Sequence, residues 1–204
     1  VMKLPEMLEK AGIRDMVAKD NLVAIKMHIG VIGGYRTIRP PFVRQVADKV
    51  TSLGGKPFLT DTWGFNHIAA AYFSGYGHDA VNAPVLPANG IKENDYRVVK
   101  TEDAFHLKEV KVAGNIYDAD ALINFAHGKG HGACGYGGAI KNLALGATTP
   151  DTRHREHELE RTEDGARKFQ EAMTDVVKAC LSNKNGKALH VTWLMDIVEH
   201  CDCA

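Results

Sequence analysis

Cysteine is scarce in this chain, and so is any long apolar run. Four cysteines in 204 residues exclude the disulfide-dense framework of a small secreted domain. No apolar stretch approaches the roughly 20 residues that cross a bilayer as a helix. The N-terminus lacks the basic, apolar and small-residue segments of a signal peptide, so a cytoplasmic protein with no membrane partner is expected. Net charge is missing too: 25 Lys and Arg balance 25 Asp and Glu. Without a global positive field, nucleic acid is not an expected partner. Internal repeats and low-complexity linkers are also absent. What is there is an ordinary globular composition, 45% hydrophobic, in a chain long enough for one sizeable core.

Periodicity places the elements. Apolar residues at helical spacing over 4–18, interrupted by Gly12, predict two short helices. Residues 22–29 read as a buried strand with Lys26 and His28 on one face and Ile25, Met27 and Ile29 on the other. Pro40-Pro41 suits the opening of a helix over 40–53 that Gly54-Gly55 stops. A strand over 56–60 ends at Asp61-Thr62, a helix over 68–76 is expected with Asn66 as its cap, and 83–86 reads as a strand. The alternation over 96–100 and 107–112 predicts a hairpin-like excursion on the main sheet. Residues 120–125 form another strand, 148–164 a polar stretch, 166–181 a strong helix and 188–198 a final strand. Strand alternating with helix argues for a single α/β domain over 1–204, a mostly parallel sheet flanked by helices.

The chemistry concentrates between Asn124 and Ala147. Seven glycines fall between Gly128 and Gly146, with His127, Lys129, His131, Cys134 and Lys141 among them. Glycine lets backbone approach a ligand closely, at an entropic cost that an ordinary loop has no reason to bear. A strand feeds this segment and a helix over 139–145 leaves it, so backbone N–H groups near Gly128, Gly130, Gly137 and Gly138, with Lys129, Lys141 and Asn142, suit a phosphate or carboxylate. A nucleotide P-loop is excluded, because no Gly-Lys-Ser/Thr follows at the required spacing.

Each candidate has a plainer alternative. His131 is a metal ligand or catalytic group, or a histidine bonded to the loop backbone; His127, four residues before it, shares its face only if the segment is helical. Cys134 is a ligand, a nucleophile or a small core residue. Lys26 and His28 share a strand face, which suits a cavity wall or a satisfied structural hydrogen bond. Asp61 orients a histidine, binds metal or caps a loop. Arg36, Arg39 and Lys141 grip an anion or are solvated. His154 and His157 lie in a charge-rich stretch and read as solvated. Cys201 and Cys203 share a strand face and supply half of a tetrahedral metal site, or pack at a sheet edge. Cys180 reads as core.

Taken together, Val23-Ala-Ile-Lys-Met-His28, Arg39-Pro40, Gly54-Gly55-Lys-Pro-Phe-Leu-Thr-Asp61, Asp118-Ala-Asp120, Lys129-Gly-His131, Gly137-Gly138-Ala-Ile-Lys-Asn142 and Cys201-Asp-Cys203 resemble one family over nearly the whole chain. It is the uncharacterised iron–sulfur centre protein family, domain of unknown function 362. The resemblance implies a transition metal or an iron–sulfur cluster, often of the four-iron four-sulfur type, and a redox partner protein. The family's ferredoxin-like cysteine run is missing here, and its domain normally continues past the Cys-Asp-Cys segment, so a longer polypeptide is expected. A more distant similarity, at the level of organisation, is to lactate-racemase-type nickel-pincer enzymes. The resulting expectation is a redox-associated or metal-dependent protein. His28, Asp61, His131, Cys134, Cys201 and Cys203 are its candidate metal ligands, and His131, Lys129 and Lys26 its candidate catalytic residues. Arg36 joins the loop glycines, Lys141 and Asn142 around a small anionic ligand or cofactor. The alternatives are a non-catalytic carrier or maturation module that docks on a redox protein, and a nickel-pincer racemase-like enzyme.

Overall fold

The structure is a computed structural model that describes residues 3–34, 36–195 and 197. Helices α1 (Leu4–Lys10) and α2 (Ile13–Met16) are separated at Gly12, whose φ of 87° is the left-handed conformation glycine permits. Strand β1 (Leu22–Lys26), helix α3 (Pro40–Ser52) and strand β2 (Lys56–Asp61) follow. Next come α4 (Gly64–Phe73), α5 (His78–Val81), β3 (Val85–Pro87), β4 (Tyr96–Lys100), β5 (Glu109–Ala113) and α6 (Gly114–Tyr117). The second half holds β6 (Ala121–His127), β7 (Lys129–His131), β8 (Gly135–Gly137), α7 (Ala139–Gly146), α8 (Pro150–Glu160), α9 (Gly165–Leu181) and β9 (Ala188–Trp193). No helix among the described residues is long and apolar enough to cross a membrane.

Five strands form one parallel sheet in the order β3-β2-β1-β6-β9. The expected mostly parallel sheet is therefore what the fold shows, with the strands near 22, 56 and 120 side by side. Alternation along the strands divides the core into two layers. Val23 and Ile25 of β1 and Ile123 and Phe125 of β6 pack with α1, α2 and α3 on one face. Ala24, Phe58 and Leu122 pack on the other, against β5, α7 and α9. Helix α9 presents Phe169, Ala172, Met173, Val176, Ala179 and Cys180 to that second layer, a helical-period stripe and all buried.

The chain runs outward from β1 to β2 and β3, then returns to place β6 on the other side of β1. Strand order thus reverses between β1 and β6, the position where open α/β sheets bind ligands beyond their carboxyl ends. The same junction is built from polar residues. Lys26 and Asn124 are register partners, and Asn142 of α7 lies over both. Its Nδ2 donates to Lys26 O at 3.1 Å and to Asn124 Oδ1 at 2.7 Å, and its Oδ1 accepts from Lys26 Nζ at 2.7 Å. Asn124 Nδ2 in turn donates to Ala139 O at 2.8 Å. A buried network whose members are all partnered fixes one docking of helix on sheet.

Several sequence expectations are corrected. Helix α4 begins at Gly64, not near residue 68, and follows Trp63 rather than an Asn66 cap; Trp63 has a φ of 87° and no side-chain cap bond. Strand β1 ends at Lys26, so Met27 to Ile29 lie beyond it. The 96–113 excursion is a separate antiparallel pair, not an addition to the main sheet. The glycine-rich loop contains the antiparallel pair β7–β8. The polar stretch 148–164 contains a helix, α8, with Thr149 as N-cap and Pro150 at its first position. The 188–198 strand is described as β9 over Ala188–Trp193. Cys201 and Cys203 lie outside the described residues.

Candidate active site

A cavity of about 490 Å³ opens at the β1–β6 switch point. Strand ends supply Lys26, Asp61 and His127, the β7–β8 pair supplies Lys129 and His131, and α7 supplies Lys141 and Asn142. His28, Gly137 and Gly138 complete the set that sequence reasoning placed together. Arg36, Cys134, Gly128 and Gly130 are not among the described lining residues. Among the lining residues that sequence reasoning did not assign to a site are Trp63, His67, Arg153 and His157. A signal for the last two exists in hindsight: Arg153 and His157 are four apart and share a face once the Thr149-Pro150 helix start is recognised.

Asp61 is the hub of the wall. It is buried, and its two oxygens accept from Thr62 N at 2.9 Å and Ile29 N at 3.1 Å. Lys26 Nζ lies 3.1 Å from Oδ1 and His28 Nδ1 3.3 Å from Oδ2. His67 Nε2 is 3.7 Å from Oδ2, within reach of its charge but longer than a hydrogen bond. Burial alone raises the Asp61 pKa, but Lys26 and the two histidines outweigh it and hold the carboxyl well below the usual carboxylate range. Burial pushes Lys26 the other way, downward, with Asp61 opposing. Lys26 is thus a tethered cation, with Asp61 and Asn142 as its partners.

Gly146 makes this tether possible. A Cβ built there would overlap Nζ and Cε of Lys26 and stand 3.1 Å from Asp61 Oδ1. Gly146→Ala exchanges a poor helix former for the best one, a gain of at most ~1 kcal/mol. The buried, doubly held Lys26 has nowhere to move, so a net loss of about 1–3 kcal/mol is expected from overpacking. A lower thermal midpoint in the variant checks this, and an unchanged or higher midpoint would refute it.

His131 Nδ1 accepts from Ala133 N at 3.2 Å, so the neutral ring carries its proton on Nε2. His127 Nε2 donates to Met195 O at 2.6 Å, which ties this histidine to the backbone. Arg153 donates to Thr62 Oγ1 and, at 3.3 Å, to Leu145 O, fastening α8 over the cavity. His157 stacks on Phe169 with centroids 5.2 Å apart and lines the cavity, with its side chain 41% exposed and its Nδ1 2.8 Å from Glu160 Oε2; His154 is exposed.

The metal expectation meets a specific geometry. Among the described residues no group of three or more His, Cys, Asp or Glu side chains is placed to hold a metal ion. Cys134 Sγ donates to Tyr136 O at 3.3 Å. Cys180 is fully buried in the second layer, and burial pushes its thiol up to about 12. Alkylation by iodoacetamide near pH 8 should therefore leave Cys180 unmodified in the folded protein and label it after denaturation, as read by peptide mass spectrometry.

The DUF362 domain, a domain of unknown function, matches residues 23–204. The chain belongs to the DUF362 family. No curated protein matches this DUF362 member. Among solved structures it is similar to the lactate racemase apoprotein from Thermoanaerobacterium thermosaccharolyticum, with a TM-score of 0.60 and 13% identity over 96% of this chain and 49% of that one. It is also similar to a Thermotoga maritima protein from a structural genomics programme, with a TM-score of 0.56 and 12% identity over 94% of this chain and 50% of that one. At such identities the likeness is one of fold. This DUF362 chain spans about half the length of each.

Proposed function

We propose that this DUF362 protein is an enzyme that binds a small organic anion of the 2-hydroxycarboxylate class in the switch-point cavity. The observation that carries the reading is the charge of the wall. Among the described lining residues Lys26, Lys129, Lys141 and Arg153 are basic and Asp61 is the carboxylate; Lys26 engages Asp61, and Arg153 also reaches Glu93 at 3.6 Å. The volume of about 490 Å³ lies in the range of small-molecule sites. The fold likeness to a lactate racemase supports the ligand class.

In this reading Lys129, Lys141 and Arg153 hold the carboxylate, the Lys26–Asp61 pair keeps the sheet end rigid, and Asp61 orients His28. His28 and His131 are the proton-exchanging groups, since each lines the cavity with a ring nitrogen fixed by a protein partner. The described residues do not fit an iron–sulfur cluster, because Cys180 lies in the core and Cys134 is not on the cavity wall. An anionic organic cofactor of the kind the nickel-pincer similarity implies would meet the same cations, Lys129, Lys141 and Arg153. When bound it would supply hydride- or electron-accepting chemistry that none of these side chains has.

Calorimetric titration with L-lactate and with inorganic phosphate at low ionic strength tests the anion reading. Saturable binding that weakens as NaCl is raised is the expected result. Absence of saturable binding for both would overturn it.

A further inference from the structure

Two large apolar side chains, those of Trp63 and Leu145, stand among the charged and polar residues that line the cavity. Both belong to segments held by the same cation. Arg153 Nη1 donates to the hydroxyl of Thr62, the residue before Trp63, and to Leu145 O at 3.3 Å. A carboxylate held by Arg153 therefore lies beside the two segments that carry the apolar part of the wall. Trp63 is built as a fixed surface. Its indole stacks on the His67 ring, with centroids 5.2 Å apart and planes at 14°, so a residue that is itself 3% exposed backs one face. Trp63 nevertheless stays 40% exposed. Its φ of 87° is a left-handed conformation that a bulky residue adopts at an energetic cost and that concentrates at functional sites. The backbone that follows is held as well. Gly64, with a φ of 54°, has no room for a Cβ against Ile91 O, and Phe65 N donates to the same oxygen at 3.2 Å. The cavity, about 490 Å³, is of a size that encloses a drug-sized ligand and far exceeds a three-carbon acid.

We propose that Trp63 is the platform on which a planar ring of the ligand stacks, so that the site takes aryl-substituted 2-hydroxycarboxylates in preference to lactate. The assignment rests on the anion reading given above and names the substituent that reading leaves open. An indole backed on one face, lining the cavity and still partly exposed, offers its remaining surface to a ligand. Aromatic pairs gain over and above the apolar area they bury. Holding the indole in place beforehand removes the ordering cost that a mobile side chain would bring to binding. Leu145, near the end of α7, adds an aliphatic contact. The cations fix the carboxylate, and the apolar wall selects the tail.

Calorimetry with L-lactate and L-3-phenyllactate, which differ by a phenyl group, tests the assignment. Wild-type protein should bind phenyllactate about tenfold or more tightly than lactate. Trp63→Gly, which suits the left-handed backbone and removes the indole, should abolish most of that preference. Trp63→Tyr, which keeps an aromatic face, should retain part of it. Should Trp63→Gly fail to fold, NMR of wild-type protein labelled at the indole nitrogen gives a separate readout. Phenyllactate should shift the Trp63 N–H resonance. That of Trp193, which packs on Phe42 and Phe125 and is not among the described lining residues, should stay in place. Wild-type affinity for phenyllactate no higher than for lactate would overturn the role of Trp63 while leaving the anion reading intact. So would a preference undiminished in Trp63→Gly, or a Trp63 resonance that does not move. If neither acid binds, the anion reading itself fails and this assignment with it.

Discussion

Asp61→Asn should lower the thermal midpoint by roughly 6–20 °C. The reason is that Lys26 is 1% exposed and Asp61 2%, so the substitution leaves a buried ammonium against neutral oxygens, those of Asn142 and Met27 among them, without the carboxylate that balances it. Breaking a buried pair by removing one partner costs about 3–5 kcal/mol, and a chain of this size loses about 2–4 °C per kcal/mol. Removing both charges is different. Lys26→Met with Asp61→Leu should regain a large part of the loss, because a buried pair replaced by apolar groups is often close to neutral. A double variant as unstable as the single would show that the pair is not the source of the effect. The pH dependence follows from the same geometry. The folded Asp61 pKa lies below the unfolded value of about 3.9. Its contribution is therefore present above about pH 4 and is lost as pH falls through the folded pKa. Denaturant melts should show wild type and Asp61→Asn differing at pH 7 and converging below pH 4.

The second large effect concerns the ligand. Lys129→Gln with Lys141→Gln should weaken lactate binding by about 100-fold or more, since each lost charge-assisted hydrogen bond is worth about 1.5–3 kcal/mol. Lys129 is buried and Lys141 half-buried on the cavity wall, and circular dichroism of the double variant separates lost binding from lost fold. The salt sensitivity of the remaining binding should fall as well, because fewer charges are left to screen. Affinity within a few-fold of wild type would place the anion elsewhere. Arg153 belongs to the same wall, but its bonds to Thr62 and Leu145 also fasten α8, so its replacement mixes binding with stability.

Much of this arrangement was legible in the sequence, and the reasons are physical. Buried parallel strands announce themselves as short apolar runs, and the polar residues Lys26 and Asp61 marked the edge where the cavity lies. The polar residues turned out to be scaffold as much as site: Asn142 of α7, expected to bind a cofactor, spends its hydrogen bonds on Lys26 and Asn124. His67 was invisible because α4 starts four residues earlier than its apolar content suggests, after a tryptophan in a conformation that propensity does not anticipate. Arg153 and His157 were hidden by composition. A charged helix with no apolar stripe reads as a solvated loop, and only packing of α8 against α9 brings those two side chains to the cavity. The expected union of His131 with Cys134 and the terminal cysteines depended on contacts between segments, which spacing alone does not encode; Cys134 is not among the described lining residues.

A crystal structure of the protein grown with L-lactate tests the central claim most directly. The account predicts one lactate at the carboxyl ends of β1 and β6, its carboxylate within hydrogen-bond distance of Lys129, Lys141 or Arg153. Lactate bound away from these cations, or turned with its carboxylate toward Asp61, would contradict it.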